Sequence, residues 1–173
     1  MTLTILIPVK HLSDSKSRLA PVLAGQERQA LALRLLHGVL QVAQQAQGQL
    51  GALAVVVSPD PTALALAAAC DLIPLLEDPV PPSGYELQAT DCASRFTFQA
   101  EPALNAALHQ ATAFATSRGA TAVLILPADL PLLTLADVAR LWRASQQLYA
   151  DRAMVIAPDS QGQGTNALLV RPP

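Results

Sequence analysis

Apolar and polar positions change rhythm repeatedly along the chain, and each change marks an element. Thr4 to Val9 is a short apolar run rich in branched side chains, which predicts a buried strand. Gln26 to Gln44 carries Leu31, Leu35, Leu36, Val39, Leu40 and Ala43, the spacing of an amphipathic helix packed on a sheet, with Gly48 and Gly51 ending it. Ala52 to Val57 predicts a second strand, stopped by Ser58-Pro59-Asp60-Pro61. Thr62 to about Cys70 reads as a helix and Leu72 to Leu76 as a third strand. Pro102 to Arg118 predicts a helix closed by Gly119, and Ala122 to Leu126 a fourth strand. Thr134 caps a helix running to about Ala150, with Asp137 completing an imperfect capping box. Ala153 to Ala157 is a fifth strand, and Leu168 to Val170 begins a further one.

Strands and helices therefore alternate, which predicts an α/β fold: a mostly parallel, Rossmann-like sheet with helices on both faces. The irregular stretch is Glu77 to Glu101, Pro-rich and acidic at its start, which reads as a lid or an oligomer contact in a homodimer. The length of 173 residues fits one domain, and 51% hydrophobic residues can fill an aliphatic core. A net charge of −2 gives no reason to expect nucleic acid or an anionic membrane as partner. No apolar run reaches membrane-spanning length, and the N-terminus lacks the pattern of a signal peptide. Cys70 and Cys92 show no zinc spacing and read as free thiols of a cytoplasmic protein.

Four stretches carry chemistry. Directly after the first strand come Lys10, Lys16 and Arg18, with no glycine before Gly25. A basic loop at the carboxyl end of a buried strand suits a polyphosphate, held by side-chain charge and not by a glycine cradle. The same three residues would also serve simply to solubilise a surface loop. Asp129, in Pro127-Ala128-Asp129-Leu130-Pro131, is the first acidic residue after the fourth strand and lies at the same sheet edge. Its carboxylate suits Mg²⁺, which takes one or two carboxylates plus substrate phosphates; it equally suits a turn. Pro158 to Asn166 contains two glycines, with Thr165 and Asn166 able to bond an anionic oxygen, although such loops are usually only loops. Asn105, at the start of its helix, fits a contact to a nucleotide or a helix-start residue.

Together these stretches resemble the 2-phospho-L-lactate guanylyltransferases of coenzyme F-420 biosynthesis. The resemblance rests on Pro8-Val9-Lys10, Leu12 and Lys16-Ser17-Arg18-Leu19-Ala20, on Leu104-Asn105-Ala106-Ala107, on Leu126 to Pro131, and on Pro158-Asp159 with Gly164 to Leu168, in the family's order. It implies a GT-A type nucleotidyltransferase fold and transfer of GMP from GTP to a small phospho-acid: 2-phospho-L-lactate, phosphoenolpyruvate or 3-phospho-D-glycerate. By the same resemblance Lys10, Lys16 and Arg18 bind the triphosphate, Asp129 holds Mg²⁺, Asn105 lies near the nucleotide, and Thr165 meets the acid's carboxylate. The family pattern continues past a position like Pro173 with an anion loop and a late Asp, a second metal ligand. The expectation is thus one nucleotidyltransferase domain over residues 1–173, lacking the family's C-terminal end. A transferase using a molybdopterin or sugar phosphate is the nearest alternative, but the LxAGxxxR loop of those enzymes is missing. A non-catalytic nucleotide-binding protein is the third reading.

Overall fold

A computed structural model of the chain describes residues 1–14, 16–79 and 102–173. Residues 80–101, most of the predicted lid or oligomer contact and with them Cys92, lie outside the described residues. Among the described residues, six strands form one sheet: β1 (Leu3–Pro8), β2 (Leu53–Ser58), β3 (Ile73–Leu76), β4 (Ala122–Ile125), β5 (Ala153–Pro158) and β6 (Thr165–Arg171). Four α-helices among the described residues lie between them: α1 (Gly25–Leu50), α2 (Pro61–Ala69), α3 (Pro102–Ser117) and α4 (Leu135–Gln147). The strand order is β3-β2-β1-β4-β6-β5. Strands β1 to β4 run parallel, whereas β6 is antiparallel to both β4 and β5.

The central strands are buried on both sides, as parallel strands between helical layers must be. Ile5, Leu6 and Ile7 are all fully buried, and each such side chain contributes about 1.5–3 kcal/mol. One face packs Ile5, Ile7, Val56 and Leu124 against α1, α2 and α4, through Leu36, Leu40, Ala63, Val138 and Trp142. The other face packs Leu6, Val55 and Val123 against α3, whose Ala107, Ala111 and Ala115 recur every four residues. Their small side chains let the helix lie close to the sheet.

Several boundaries differ from expectation for local physical reasons. Helix α1 runs through Gly48 and stops only at Gly51, whose left-handed φ of 63° an L side chain rarely adopts. Its sheet-facing stripe includes Ala32 and Ala46, which the larger leucines conceal in the sequence pattern. Helix α4 ends at Gln147, sooner than expected, while its Thr134–Asp137 capping box is complete in both directions. Thr134 also gives its hydroxyl proton to Asp137. That bond, assisted by the Thr134 amide and Arg140, holds the Asp137 carboxyl below its ordinary range against the opposing effect of burial.

The order of strands creates the site. The chain builds outward from β1 through β2 to β3, then crosses back to add β4 on the other flank of β1. Loops leaving β1 and β4 at their carboxyl ends therefore diverge and leave a crevice between them. Because β6 is reversed, its first residues stand at that same edge. The short connection from Pro158 to Thr165 makes β5 and β6 a hairpin, which must be antiparallel.

Candidate active site

The segment after β1 is fastened before it turns. The Val9 amide donates to the Val57 carbonyl at 2.9 Å, extending the β1–β2 ladder past Pro8. Three residues on, the Leu12 amide donates to Asp60 Oδ2 at 2.8 Å, and the Leu12 side chain is buried. Asp60 is also the N-cap of α2, its Oδ1 accepting from the Thr62 amide at 2.8 Å and from Ala63. Burial works to raise the Asp60 pKa, but the amides of Leu12, Thr62 and Ala63 together outweigh it and hold the carboxyl below its ordinary range. One carboxylate thus ties the basic loop to the first turn of α2. In sequence, Asp60 reads only as part of a strand stop, although Asp followed by Pro at the first helical position is an N-cap signal.

Lys16 occupies the left-handed region, at φ 57° and ψ 35°, and reverses the chain into a short 3-10 turn. Its Nζ donates to Asp129 Oδ2 at 2.5 Å, across 113 residues of sequence. Asp129 is held from behind, because the Leu126 amide donates to the Leu6 carbonyl and extends the β4–β1 ladder into Pro127. The basic loop of β1 and the acidic turn of β4 therefore meet over the crevice. The Asp129 side chain is 52% exposed, so the carboxylate stays open to solvent beside its bond to Lys16.

A cleft of about 1320 Å³ opens at this edge. Lys10, Lys16, Arg18, Asp129 and Thr165, all singled out from sequence, line it together. Asn105 and Asn166 do not. Asn105 sits half-buried in the first turn of α3, whose cleft-facing residues are Ala103, Leu104, Ala107 and Leu108. Asn166 lines a smaller neighbouring cleft with Asp137, Arg140 and Leu132, and its Nδ2 donates to the Pro158 carbonyl at 3.4 Å. The main cleft also takes in Glu77, Asp78 and His11, which the sequence did not single out. Position after a strand at the ligand edge is the signal that could have found them.

The glycine loop before Thr165 differs from expectation. Its amides do not stand open for a ligand: Asp159 Oδ1 accepts from Gln161 at 3.0 Å and from Gln163 at 2.9 Å. Backbone bonds from Asp159 to the Gly164 carbonyl and from Gly162 to the Asp159 carbonyl close the hairpin tip. Bonds from Gln163 and Gly164 chiefly hold the Asp159 carboxyl below its ordinary range. The loop is an anion nest filled by its own carboxylate. At Gly164 a Cβ would lie 2.8 Å from Asp159 Oδ2, so a larger residue there would have to displace that carboxylate.

The donor set limits what metal could bind. Among the described residues, no three His, Cys, Asp or Glu side chains converge. Asp129 offers a single half-exposed carboxylate. That fits a hard cation arriving with phosphate ligands and its own waters, and does not fit a metal caged by protein alone.

Known proteins agree with this architecture. The family described as "Guanylyl transferase CofC like" matches residues 3–78 and 88–173. A phosphoenolpyruvate guanylyltransferase of Chloroflexus aggregans is 41% identical over 98% of the chain and 72% of its own length. Proteins of the same name from Conexibacter woesei and Sphaerobacter thermophilus are 36% and 37% identical over the whole chain, which spans 66% and 70% of their lengths. Among solved structures, a protein of Desulfovibrio desulfuricans assigned as a nucleotide-diphospho-sugar transferase superposes with a TM-score of 0.62 at 18% identity, over 98% of this chain and 63% of its own. A CMP:2-keto-3-deoxy-manno-octonic acid synthetase gives 0.55 at 13% identity, over 99% and 74%. These two share the fold, a Rossmann-like sheet of GT-A type. The chain belongs to the CofC-like guanylyl transferases, a family of nucleotidyltransferases.

Proposed function

We propose that the protein transfers GMP from GTP to the phosphate of a small phospho-acid and releases pyrophosphate. Phosphoenolpyruvate is the acceptor named for the relatives above, and we place it before 2-phospho-L-lactate and 3-phospho-D-glycerate. The resemblance to enzymes of coenzyme F-420 biosynthesis supports the further reading that the reaction serves that pathway in the cytoplasm. The observation that carries this reading is the meeting of Lys16 and Asp129 at the switch point of the sheet.

In the reaction, a phosphate oxygen of the acid attacks the α-phosphorus of GTP as the bond to the bridging oxygen of pyrophosphate breaks. No covalent link to the protein is needed, so no nucleophilic side chain is required. Two anions must be brought together and charge must be neutralised on the leaving group. Lys10, Lys16 and Arg18, which line the cleft from the β1 loop, would do both. Thr165, at the opposite wall on β6, offers a hydroxyl to the acid's carboxylate. Asn105 and Asn166 do not line this cleft and would act by shaping α3 and the hairpin. Asp129 would hold Mg²⁺, which when bound screens phosphate charge at the reacting centre.

Lys16 then has two partners. Without nucleotide its ammonium neutralises Asp129. With nucleotide it turns to the triphosphate and leaves the Asp129 carboxylate to the cation. The experiment is Mn²⁺ binding, followed by electron paramagnetic resonance, with and without GTP. Lys16→Ala should bind Mn²⁺ more tightly than wild type in the absence of GTP, and GTP less tightly. Unchanged Mn²⁺ affinity in Lys16→Ala, with GTP binding intact, would remove both roles.

A further inference from the structure

The cleft has two chemically different ends. The β1–β4–β6 end holds the basic loop, Asp129 and Thr165. The β2–β3 end is walled by Pro59 after β2, Leu76 at the end of β3, and Leu104 and Leu108 of α3. At these apolar walls stand two carboxylates that a polyphosphate would oppose, the exposed Asp78 and the half-buried Glu77, and Glu77 is the one that bears a desolvation cost.

Glu77 is fixed with care for a residue at a strand end. Its own amide donates to the Ser58 carbonyl at 3.0 Å. The residues on either side are gripped by one side chain of α3: Gln110 Oε1 accepts from the Asp78 amide at 3.1 Å, and Gln110 Nε2 donates to the Leu76 carbonyl at 3.0 Å. Three bonds thus set the backbone from which the Glu77 side chain departs. Burial pushes its pKa up, and the nearby His11 partly opposes this. A carboxylate with a desolvation cost, in a cleft for an anionic ligand, weakens binding unless the ligand brings donors to it.

Apolar walls and an acceptor edge are what a purine ring with donors needs. Among the nucleobases guanine presents two adjacent donors on its Watson–Crick edge, N1–H and the exocyclic N2 amine. A carboxylate accepts from both at once through its two oxygens. Adenine offers an acceptor at N1 and would face Glu77 with like polarity. With the triphosphate over Lys10, Lys16 and Arg18, the base falls toward the β2–β3 end. We propose that Glu77 reads the donor edge of guanine and is the residue that selects GTP over ATP, with Gln110 as its positioning residue. The inference rests on the guanylyl-transfer reading above.

The test is a set of dissociation constants by calorimetry for GTP, ITP, 2′-deoxy-GTP and ATP. ITP keeps N1–H but lacks the N2 amine, so it isolates one bond. Wild type should prefer GTP to ITP by roughly 10-fold or more, the scale of one hydrogen bond to a charged group. Glu77→Ala should bind the two alike, and Asp151→Asn, on an exposed residue outside the cleft, should keep the preference. Glu77→Gln keeps shape and one acceptor, and should lose most of the preference while melting like wild type. A GTP:ITP ratio unchanged in Glu77→Ala and Glu77→Gln would overturn the proposal. So would a loss matched by 2′-deoxy-GTP and not by ITP, which would make Glu77 a ribose contact. If wild type binds no GTP at all, guanylyl transfer itself fails; if it binds GTP and Glu77 variants still discriminate, only the assignment of Glu77 fails.

Discussion

Replacing Asp60 separates the two halves of one device. Its carboxylate caps α2 through Oδ1 and holds the Leu12 amide through Oδ2. Asp60→Ala removes an N-cap, worth about 1 kcal/mol. It also removes a charge-assisted bond to the amide of a buried residue, worth about 1.5–3 kcal/mol. Asp60 is partly exposed, so solvent screening favours the lower end, and a total of about 2–3 kcal/mol follows. For a chain of this length that is a fall in Tm of roughly 4–12 °C. Because its folded pKa is lowered, this stabilisation is present above the unfolded value, about 3.9, and is lost as pH falls through the folded one. Thermal melts of wild type and Asp60→Ala should therefore differ at neutral pH and converge at the acid end. Asp60→Asn has one carbonyl to offer and can satisfy α2 or Leu12 but not both, so it should melt between the two. Equal melting of all three proteins at neutral pH would refute the bracing role. A gap that widens in acid would show that the sign of the linkage is wrong.

Other outcomes follow from single contacts. Gly164→Ala should displace the Asp159 carboxylate from the hairpin and raise KM for the acid acceptor with GTP affinity intact; pairing it with Asp159→Ala removes the clash and should recover part of the loss, read by steady-state kinetics. Thr165→Val should raise the same KM while leaving Tm within about 1 °C, since its side chain is exposed. Thr134→Ala should cost about 1 kcal/mol in denaturant melts, because it opens the capping box of α4.

Much of this was legible in the sequence. Thr4 to Val9 and Ala52 to Val57 announce themselves because burial on both faces leaves a single polar position, the buried Thr4, to blur them. Thr134 and Asp137 declare a helix start through a spacing that is purely local. Placing Lys10, Lys16 and Arg18 after the first strand, and Asp129 after the fourth, was enough to bring them to one edge once the strands were parallel. What could not be read is what depends on a partner far along the chain. Asp60 looks like punctuation until Leu12 lies beside it. Gln110 is one polar residue on an Ala-rich helix until β3 supplies Leu76 and Asp78. The direction of β6 is also invisible, since alternation of buried and exposed positions is the same in either sense. The Gly162 and Gly164 loop misleads for a different reason: flexible backbone was expected to serve a ligand, and Asp159 serves itself first.

Product formation tests the central claim most directly. The protein is incubated with GTP, Mg²⁺ and phosphoenolpyruvate, then in turn with 2-phospho-L-lactate and 3-phospho-D-glycerate, and the mixtures are analysed by mass spectrometry alongside a pyrophosphate assay. The account predicts one guanylylated acid, from phosphoenolpyruvate, with pyrophosphate released in equal amount and both abolished in Asp129→Asn, whose Tm stays near wild type. GTP bound tightly, with neither product nor pyrophosphate from any of the three acids, would contradict it and leave a nucleotide-binding protein in its place.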